Sequence, residues 1–248
     1  MAHMVNGNKE VLVFADYAQM AAFAVEKWGE IAADAIKRKD WLAAALSGGR
    51  TPVGFYQKLS QYKKNIAWDK THIFLADERF VPFDNEASNY RLIEENLLSR
   101  VDIPMENVHP VSTQEATAEL AANSYEKHVR DFFKLGASES PAFDLIMLGI
   151  GEDGHTASLF PETLSLTEKN RLVIAVKSEK LSNERISLSL HVINRARNII
   201  FLVSGKKKAR IIKTILEEND DSLPAVRVKP SKGSLLFLLD KDAGGKLS

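Results

Sequence analysis

The chain alternates between short apolar runs and longer segments in which apolar residues recur every three or four positions. A short run without polar alternation is typical of a parallel strand buried on both faces, whereas the longer period is typical of a helix packed on a sheet. The pattern predicts strands at Val11–Phe14, Trp41–Leu46, His72–Ala76, Phe143–Leu148, Leu172–Val176, Arg185–Leu190, Asn198–Val203 and Leu235–Leu239. It predicts helices at Asp16 to about Lys39, near Pro52, near Ser88, at about Thr113–Lys134 and at Arg210–Glu218.

This order of elements indicates the fold class. Strand and helix alternate through 248 residues, of which 45% are hydrophobic, and no linker, repeat or low-complexity segment interrupts them. We therefore expect an α/β fold with a single doubly wound, mostly parallel sheet and helices on both faces. Residues 1–248 are expected to form a single domain, with residues 1–9 disordered or left over from an expression vector.

Composition excludes several classes of function. Lysine and arginine (33) balance aspartate and glutamate (33), so no net field attracts nucleic acid or an acidic membrane. The absence of cysteine removes disulfides and a thiolate nucleophile, and the six histidines lack the spacing of metal ligands. No apolar run approaches the ~20 residues of a membrane span, and the chain start lacks the features of a signal peptide. We expect a cytoplasmic protein, a monomer rather than an oligomer, that binds neither nucleic acid nor a membrane.

The loop after the predicted strand Phe143–Leu148 is the main candidate for chemistry. It carries, in order, Gly149, Gly151, Glu152, Asp153, Gly154 and His155. Ligands of open α/β sheets bind where loops leave the carboxyl ends of the strands, and an imidazole at such a place suits acid–base chemistry. Two alternatives stay open: a histidine that only caps the turn, and a dinucleotide-binding G-x-G-x-x-G. For the second, Pro161 comes too soon to allow the long helix that the fingerprint needs.

A second glycine-rich loop, Ser47–Pro52 (SGGRTP), follows another predicted strand. We expect Thr51 to cap the next helix and Pro52 to lie in its first turn. Bare N–H groups at a helix start and the helix dipole favour a bound anion. The loop therefore predicts a phosphate site, with a plain tight turn as the alternative.

Charged residues follow two more predicted strands. Asp77, Glu78 and Arg79 come directly after the strand His72–Ala76, where they must face a partner or a cleft because unpaired burial is costly. An Asp77–Arg79 salt bridge is the alternative and is compatible with a site. The segment Ser204–Ala209 (SGKKKA) follows the strand Asn198–Val203, and its lysines are either phosphate ligands or solvated surface.

Five segments together carry a resemblance to a known family. They are SGGRTP, DERFVP, SNYR at Ser88–Arg91, LGIGEDGHTASLFP at Leu148–Pro161, and SGKKKA. Over about Val11–Leu239 the chain resembles the 6-phosphogluconolactonase family, and the long central motif is the most specific part. The resemblance implies a fold of the NagB/ribose-5-phosphate-isomerase-like kind.

The resemblance also implies an activity and a set of roles. The activity is hydrolysis of 6-phospho-D-glucono-1,5-lactone to 6-phospho-D-gluconate in the oxidative pentose phosphate pathway, with no metal or organic cofactor. His155 would be the general base, held by Asp153 or Asp77, and N–H groups of the Gly149–Gly151 turn would stabilise the oxyanion. The residues implied for substrate and phosphate binding are Ser47, Gly48, Gly49, Arg50, Thr51, Arg79, Asn89, Gly149, Gly151, Arg185 and Lys208. Of the three lysines, Lys208 matches the family's G-x-x-K-A.

Two other functions are weighed against this one. The same superfamily contains glucosamine-6-phosphate isomerases/deaminases, which carry a proton-transferring glutamate five residues after the histidine. Here that position holds Phe160, and a phenyl ring cannot transfer a proton. A non-catalytic sugar-phosphate sensor would need a DNA-binding helix-turn-helix, for which the ten or so residues before the first predicted strand leave no room.

Overall fold

The computed structural model describes residues 2–62, 66–177 and 181–247, and eleven strands in these residues form two sheets. The strands are β1 (Ala2–Asn6), β2 (Lys9–Phe14), β3 (Leu42–Leu46), β4 (Thr71–Leu75), β5 (Asp77–Arg79), β6 (Val108–His109), β7 (Leu145–Leu148), β8 (Val173–Val176), β9 (Arg185–Leu188), β10 (Asn198–Val203) and β11 (Ser234–Asp240). The helices are α1 (Tyr17–Lys39), α2 (Arg50–Ser60), α3 (Asn89–Asn96), α4 (Ala118–Phe133), α5 (Leu190–Ile193), α6 (Ala209–Lys213) and α7 (Pro224–Arg227).

The large sheet has the strand order β1-β2-β11-β10-β7-β3-β4-β6, and every pair except β1/β2 is parallel. The predicted doubly wound, mostly parallel α/β fold is confirmed. The chain leaves β3 towards β4 and β6 on one side and returns to β7 on the other, so the strand order reverses between β3 and β7. Such a switch point opens a crevice at the carboxyl ends of the strands.

A second, antiparallel sheet has the order β5-β9-β8, which corrects the prediction of a single sheet. The segment Arg185–Leu188 alternates polar and apolar residues, and that alternation is typical of antiparallel strands rather than of a buried parallel one. The segment predicted as one strand to Leu190 also ends earlier, because Leu190 begins α5.

The start of the chain differs from the expected disorder of residues 1–9. The backbone of β1 pairs antiparallel with β2, from Ala2 opposite Val13 to Asn6 opposite Lys9. An edge strand needs only backbone partners, so it can form without the apolar run that would predict it from the sequence. That residues 1–248 form a single domain stays a prediction.

Two helices begin at residues other than those predicted. Helix α4 starts at Ala118, where the Thr117 hydroxyl accepts a hydrogen bond from Leu120 N, instead of near Thr113. Helix α2 starts at Arg50 with Gly49 in the cap position, so Thr51 is not the cap. Gly49 has a φ of 103°, which lets the chain turn from strand to helix two residues earlier than a threonine cap would.

The register of β3 against β7 is pinned at the amino end of the sheet by Asp144. Its N–H donates to Ala43 O (3.0 Å), and its carboxylate accepts from Ala43 N (2.8 Å). The carboxylate is buried and is neutralised by Arg38 (2.7 Å) and Lys39 (2.8 Å). No helix in the described ranges is long and apolar enough to span a membrane.

Three histidines form a chain of hydrogen bonds beside β6. His109 Nε2 lies 3.1 Å from His72 Nδ1, and His109 Nδ1 lies 2.7 Å from His128 Nε2. The ring of His109 is also stacked on Phe74, and the residue is 6% exposed. Burial, together with the charges that His128 and His72 carry when protonated, lowers the pKa of His109 to about 3.

We predict that the hydrogen-bonded row of three histidines makes the folded protein sensitive to acid. The unfolded chain protonates His109 below about pH 6.5, whereas the folded protein does so only near pH 3, so stability falls as pH falls through 6.5. Between pH 6.5 and 5 the loss from His109 alone is about 1.6 kcal/mol. His109→Phe should lose correspondingly less over this range in urea unfolding at each pH. Equal pH slopes for the two proteins would contradict the prediction.

Candidate active site

A cavity of about 740 Å³ opens at the carboxyl ends of β3, β7 and β10, at the switch point of the large sheet, and is bordered by Asp77 and Arg79 of β5. Twelve of the site residues predicted from the sequence line it. They are Ser47, Gly48, Gly49, Arg50, Thr51, Asp77, Arg79, Asn89, Gly149, Gly151, His155 and Lys208. Residues more than 150 positions apart meet here because parallel strands deliver their following loops to one edge of the sheet.

The imidazole of His155 is held by Asp153. Asp153 Oδ1 lies 2.6 Å from His155 Nδ1 and also accepts the His155 backbone N–H at 3.2 Å. Burial works against ionisation of Asp153, but the hydrogen bond and charge of His155 outweigh it and lower the pKa of Asp153 to about 2. An ionised Asp153 requires the proton on Nδ1, which leaves the Nε2 lone pair free to accept a proton.

The loop that carries His155 is tightly bonded. Gly151 N donates to His155 O (2.8 Å), Gly154 N donates to Gly151 O (3.1 Å), and the Thr156 hydroxyl donates to Gly149 O (2.9 Å). The N–H of Gly151, one of the donors expected from the Gly149–Gly151 turn, is therefore already used inside the loop. A side chain on Gly151 would collide with His155 Nδ1 and Asp153 Oδ1.

Asp77 is the other carboxylate considered as a partner of His155, and the structure gives it a different contact. It is 7% exposed, and its Oδ2 accepts the hydroxyl of Ser158 at 2.7 Å. Ser158 N in turn donates to Ser187 Oγ (3.3 Å) on β9. Asp77 thus joins the loop after β7 to the small sheet, and among the described residues no salt bridge links it to Arg79.

Glu78, which points away from the cavity, holds the segment before α3. Its carboxylate is fully buried and accepts Arg79 N (2.7 Å), Asn89 N (2.7 Å), Tyr90 N (2.8 Å) and the Ser88 hydroxyl (3.2 Å). Burial raises the pKa of Glu78, while the three backbone N–H groups act in the opposite direction. Four donors compensate for the burial of this carboxylate and fix Arg79 and Asn89 beside the cavity.

Asn89 packs its amide between two backbone segments of the site. Its Nδ2 donates to Asp77 O (2.8 Å), which fixes the orientation of the amide, and its Oδ1 is buried without a hydrogen-bond partner. A side chain on Gly48 would collide with that oxygen. Ser47 Oγ is likewise buried without a partner, and its backbone oxygen accepts the hydroxyl of Tyr56 at 2.6 Å. Buried polar atoms without partners are rare in native proteins and cluster here.

Arg79 and Arg185 are opposite each other on the antiparallel strands β5 and β9. Burial, followed by the charge of Arg79, lowers the pKa of Arg185, and its Nε is buried without a partner. Like charges directly opposite each other are unfavourable. Within the described ranges neither guanidinium forms an ion pair, so the two positive charges remain available to an anion.

A second group of cations lies across the cavity. Lys206, Lys207 and Lys208 precede α6 and line the cavity together with Arg50 at the start of α2. Burial lowers the pKa of Lys208; the carboxylates Glu152 and Asp153 raise it and Arg50 lowers it. The lysine segment, the bare N–H groups of α2 and Arg50 together make this wall of the cavity positive.

Two predicted residues, Asp153 and Arg185, do not line the cavity but contact residues that do. Other lining residues were missed by the sequence analysis, namely Tyr17, Pro52, Val53, Gly54, Ile150, Glu152, Ala157, Ser204, Gly205, Lys206 and Lys207. Most lie inside the quoted motifs, where their neighbours were chosen instead. Tyr17 lies in no motif; its hydroxyl donates to Thr51 O and accepts Phe55 N (3.0 Å), a contact that only the folded chain reveals.

Comparison with known proteins gives a consistent result. A family model described as glucosamine-6-phosphate isomerases/6-phosphogluconolactonase matches residues 15–237. A 6-phosphogluconolactonase of Synechocystis sp. is 42% identical over 205 residues, covering 82% of this chain and 83% of that protein. One from Nostoc sp. is 40% identical over 216 residues, covering 86% and 88%. The crystal structure of 6-phosphogluconolactonase from Thermotoga maritima has a TM-score of 0.81 at 34% identity, covering 94% of this chain and 100% of that one.

We predict that the hydrogen bond between His155 and Asp153 requires a glycine at position 151, because any side chain there would occupy the same space. Gly151→Ala should separate the pair and raise the pKa of Asp153 from about 2 towards the ordinary aspartate value of about 3.9. Gly149→Ala is the matched control, because a Cβ there meets nothing within 4 Å. Titration of the Asp153 carboxyl carbon by NMR measures both. A pKa that stays near 2 in Gly151→Ala would contradict the geometry.

Proposed function

The chain belongs to the glucosamine-6-phosphate isomerase/6-phosphogluconolactonase family, and we propose that it hydrolyses 6-phospho-D-glucono-1,5-lactone to 6-phospho-D-gluconate, a step of the oxidative pentose phosphate pathway. The observation that carries the proposal is the hydrogen bond between His155 and the ionised Asp153 at the edge of a positively charged cavity. Such a pair activates water, and such a cavity suits a phosphorylated sugar.

In the proposed mechanism, His155 Nε2 accepts a proton from a water molecule as the water oxygen attacks C1 of the lactone. Asp153 keeps the other ring proton on Nδ1 and stabilises the imidazolium that forms. The tetrahedral intermediate then collapses, the bond between C1 and the ring oxygen breaks, and the imidazolium returns its proton to that oxygen. The products are a C5 hydroxyl and a C1 carboxylic acid, which loses its proton to solvent.

The intermediate carries a negative charge on the former carbonyl oxygen and needs hydrogen-bond donors. Because Gly151 N already donates within the loop and Gly149 N faces β10, where Leu148 pairs with Phe201, we assign this role to the N–H group of Ile150. Asp77, bound by Ser158, is assigned to the wall of the site rather than to the orientation of His155.

The phosphate, with roughly −1.5 to −2 charges at neutral pH, is assigned to the positive groups of the cavity. These are the N–H groups at the start of α2, with Gly48, Gly49, Arg50 and Thr51, and the side chains of Arg79, Arg185 and Lys208. The missing ion pairs of Arg79 and Arg185 support this assignment, because a bound anion would offset the repulsion between two cations that Asp77 and Glu78 relieve only in part.

Isomerisation or deamination of an amino sugar phosphate is the second candidate, and the surroundings of His155 disfavour it. The ring of Phe160 lies 4.6 Å from the imidazole, centroid to centroid, where relatives with that chemistry carry a glutamate. Because an apolar neighbour cannot transfer a proton, ring opening of an amino sugar phosphate lacks one of the groups that it needs.

Cytoplasmic location and a monomeric state stay predictions from the sequence.

We predict that the purified protein opens the phospholactone and that His155→Asn loses most of this activity. Asparagine keeps a polar side chain but cannot accept a proton, and loss of a general base typically costs ~10²–10⁴ in rate. The loss should appear in kcat with KM nearly unchanged, since the proton moves only in the transition state.

The assay follows acid release after subtraction of spontaneous lactone opening, with glucosamine 6-phosphate as the competing substrate. Release of ammonia from glucosamine 6-phosphate at a comparable rate would reject the lactonase assignment. If His155→Asn keeps most of its kcat, another group is the base, and Asp77→Asn is the next variant to measure.

We predict that Arg79→Ala and Lys208→Ala each raise KM for the phospholactone by roughly 10- to 100-fold, the equivalent of a lost charge-assisted contact of ~1.5–3 kcal/mol. Both variants should hydrolyse unphosphorylated gluconolactone much as the wild type does. Steady-state kinetics on the two lactones measures the difference. Unchanged KM for the phospholactone in both variants would mean that the phosphate binds elsewhere.

A further inference from the structure

The lysine-bearing segment Ser204–Lys208 depends on a carboxylate from a neighbouring strand. Asp240, the last residue of β11, is 6% exposed, and β11 runs parallel to β10 with Leu239 opposite Val203. The Ser204 hydroxyl donates to Asp240 Oδ2, and Gly205 N donates to Oδ1 at 3.1 Å. Ala243 N also donates to Oδ1, at 2.8 Å.

The hydrogen-bond partners of Asp240 are uncharged groups and not the neighbouring lysines. Across the described ranges, Asp240 forms no ion pair with Lys206, Lys207 or Lys208, although all three lie within four residues of Ser204. A carboxylate that neutralised the lysines would remove the charge that an anionic substrate needs. Asp240 instead binds the hydroxyl and the backbone in front of the lysines, so their charge stays available.

The backbone of this segment needs such a support. Gly205 has a φ of 97°, and glycine occupies this region about as readily as others, so the residue alone does not fix the turn. The three lysines then form a single 3-10 turn before α6. Lys208 is only the third residue after Gly205, which Asp240 contacts. Glu78 supports the opposite wall in the same way, through backbone N–H groups rather than through Arg79's guanidinium.

We propose that Asp240 is a positioning residue that holds Ser204 and Gly205 so that Lys208 faces the phosphate of the substrate. The inference rests on the proposed function, and in particular on the assignment of Lys208 to the phosphate. It adds a residue that contacts no substrate and lies outside every motif quoted from the sequence.

The test compares Asp240→Ala with Asp240→Asn on the phosphorylated and unphosphorylated lactones. Asparagine can present its oxygen to Gly205 N and Ala243 N and its amide to Ser204 Oγ, so it keeps the support without the charge. We expect Asp240→Ala to raise KM for the phospholactone about tenfold, with kcat and the unphosphorylated reaction little changed, and Asp240→Asn to restore KM to within about threefold. The inhibition constant of inorganic phosphate should rise with KM. Asp242→Ala, two residues on, is the matched control.

Each outcome decides the question. Equal losses on both lactones would overturn the proposal in favour of a general structural role, and an unchanged KM in Asp240→Ala would overturn it outright. If Asp240→Ala does not fold, Ser204→Ala removes one of the supporting bonds alone and should raise the same KM in the same direction. A wild type that does not hydrolyse the phospholactone would refute the proposed function instead, which keeps the two failures distinct.

Discussion

The parallel register of β3 against β7 is the constraint on which the rest of the structure depends. Asp144 sets it at the amino end of the sheet by exchanging hydrogen bonds with both the N–H and the C=O of Ala43. At the other end the same register brings the loop after β3 opposite the loop after β7. A slip of one residue would turn the side chains of a strand to the opposite face and shift its loop by about 3.3 Å, enough to separate the anion-binding groups from His155.

In the site that this register builds, each buried or half-buried carboxylate binds a different kind of partner. Asp153 binds the imidazole, Asp77 binds a serine hydroxyl, and Glu78 binds three backbone N–H groups and a serine hydroxyl. None of them forms a salt bridge with an arginine or lysine of the cavity in the described ranges. The cations are therefore held near acids without being neutralised, and the cavity stays positive although the chain as a whole carries no net charge.

Much of this was accessible from the sequence, for definite physical reasons. Apolar runs such as Asn198–Val203 and the long period of Tyr17–Lys39 are signals of burial, and they predicted the parallel sheet and α1 correctly. Strands β8 and β9 were predicted, but they were assigned to the large sheet instead of the second one. Strands β1 and β5 were missed because short or edge strands are defined by backbone pairing, which leaves a weak trace in side-chain pattern. At the site, the glycine and histidine motifs gave the residues, but the choice of Asp153 over Asp77 as the partner of His155 required coordinates.

Phe160 combines two roles at one position, because it excludes an acid–base group and packs against the proposed catalytic histidine. Its ring packs against the imidazole of His155 and is itself partly buried against the core. A mutation to glutamate would introduce an acid and at the same moment strip the histidine of its apolar neighbour. A substitution at this position therefore changes the acid–base groups and the packing around the imidazole together, so the two cannot be varied independently there.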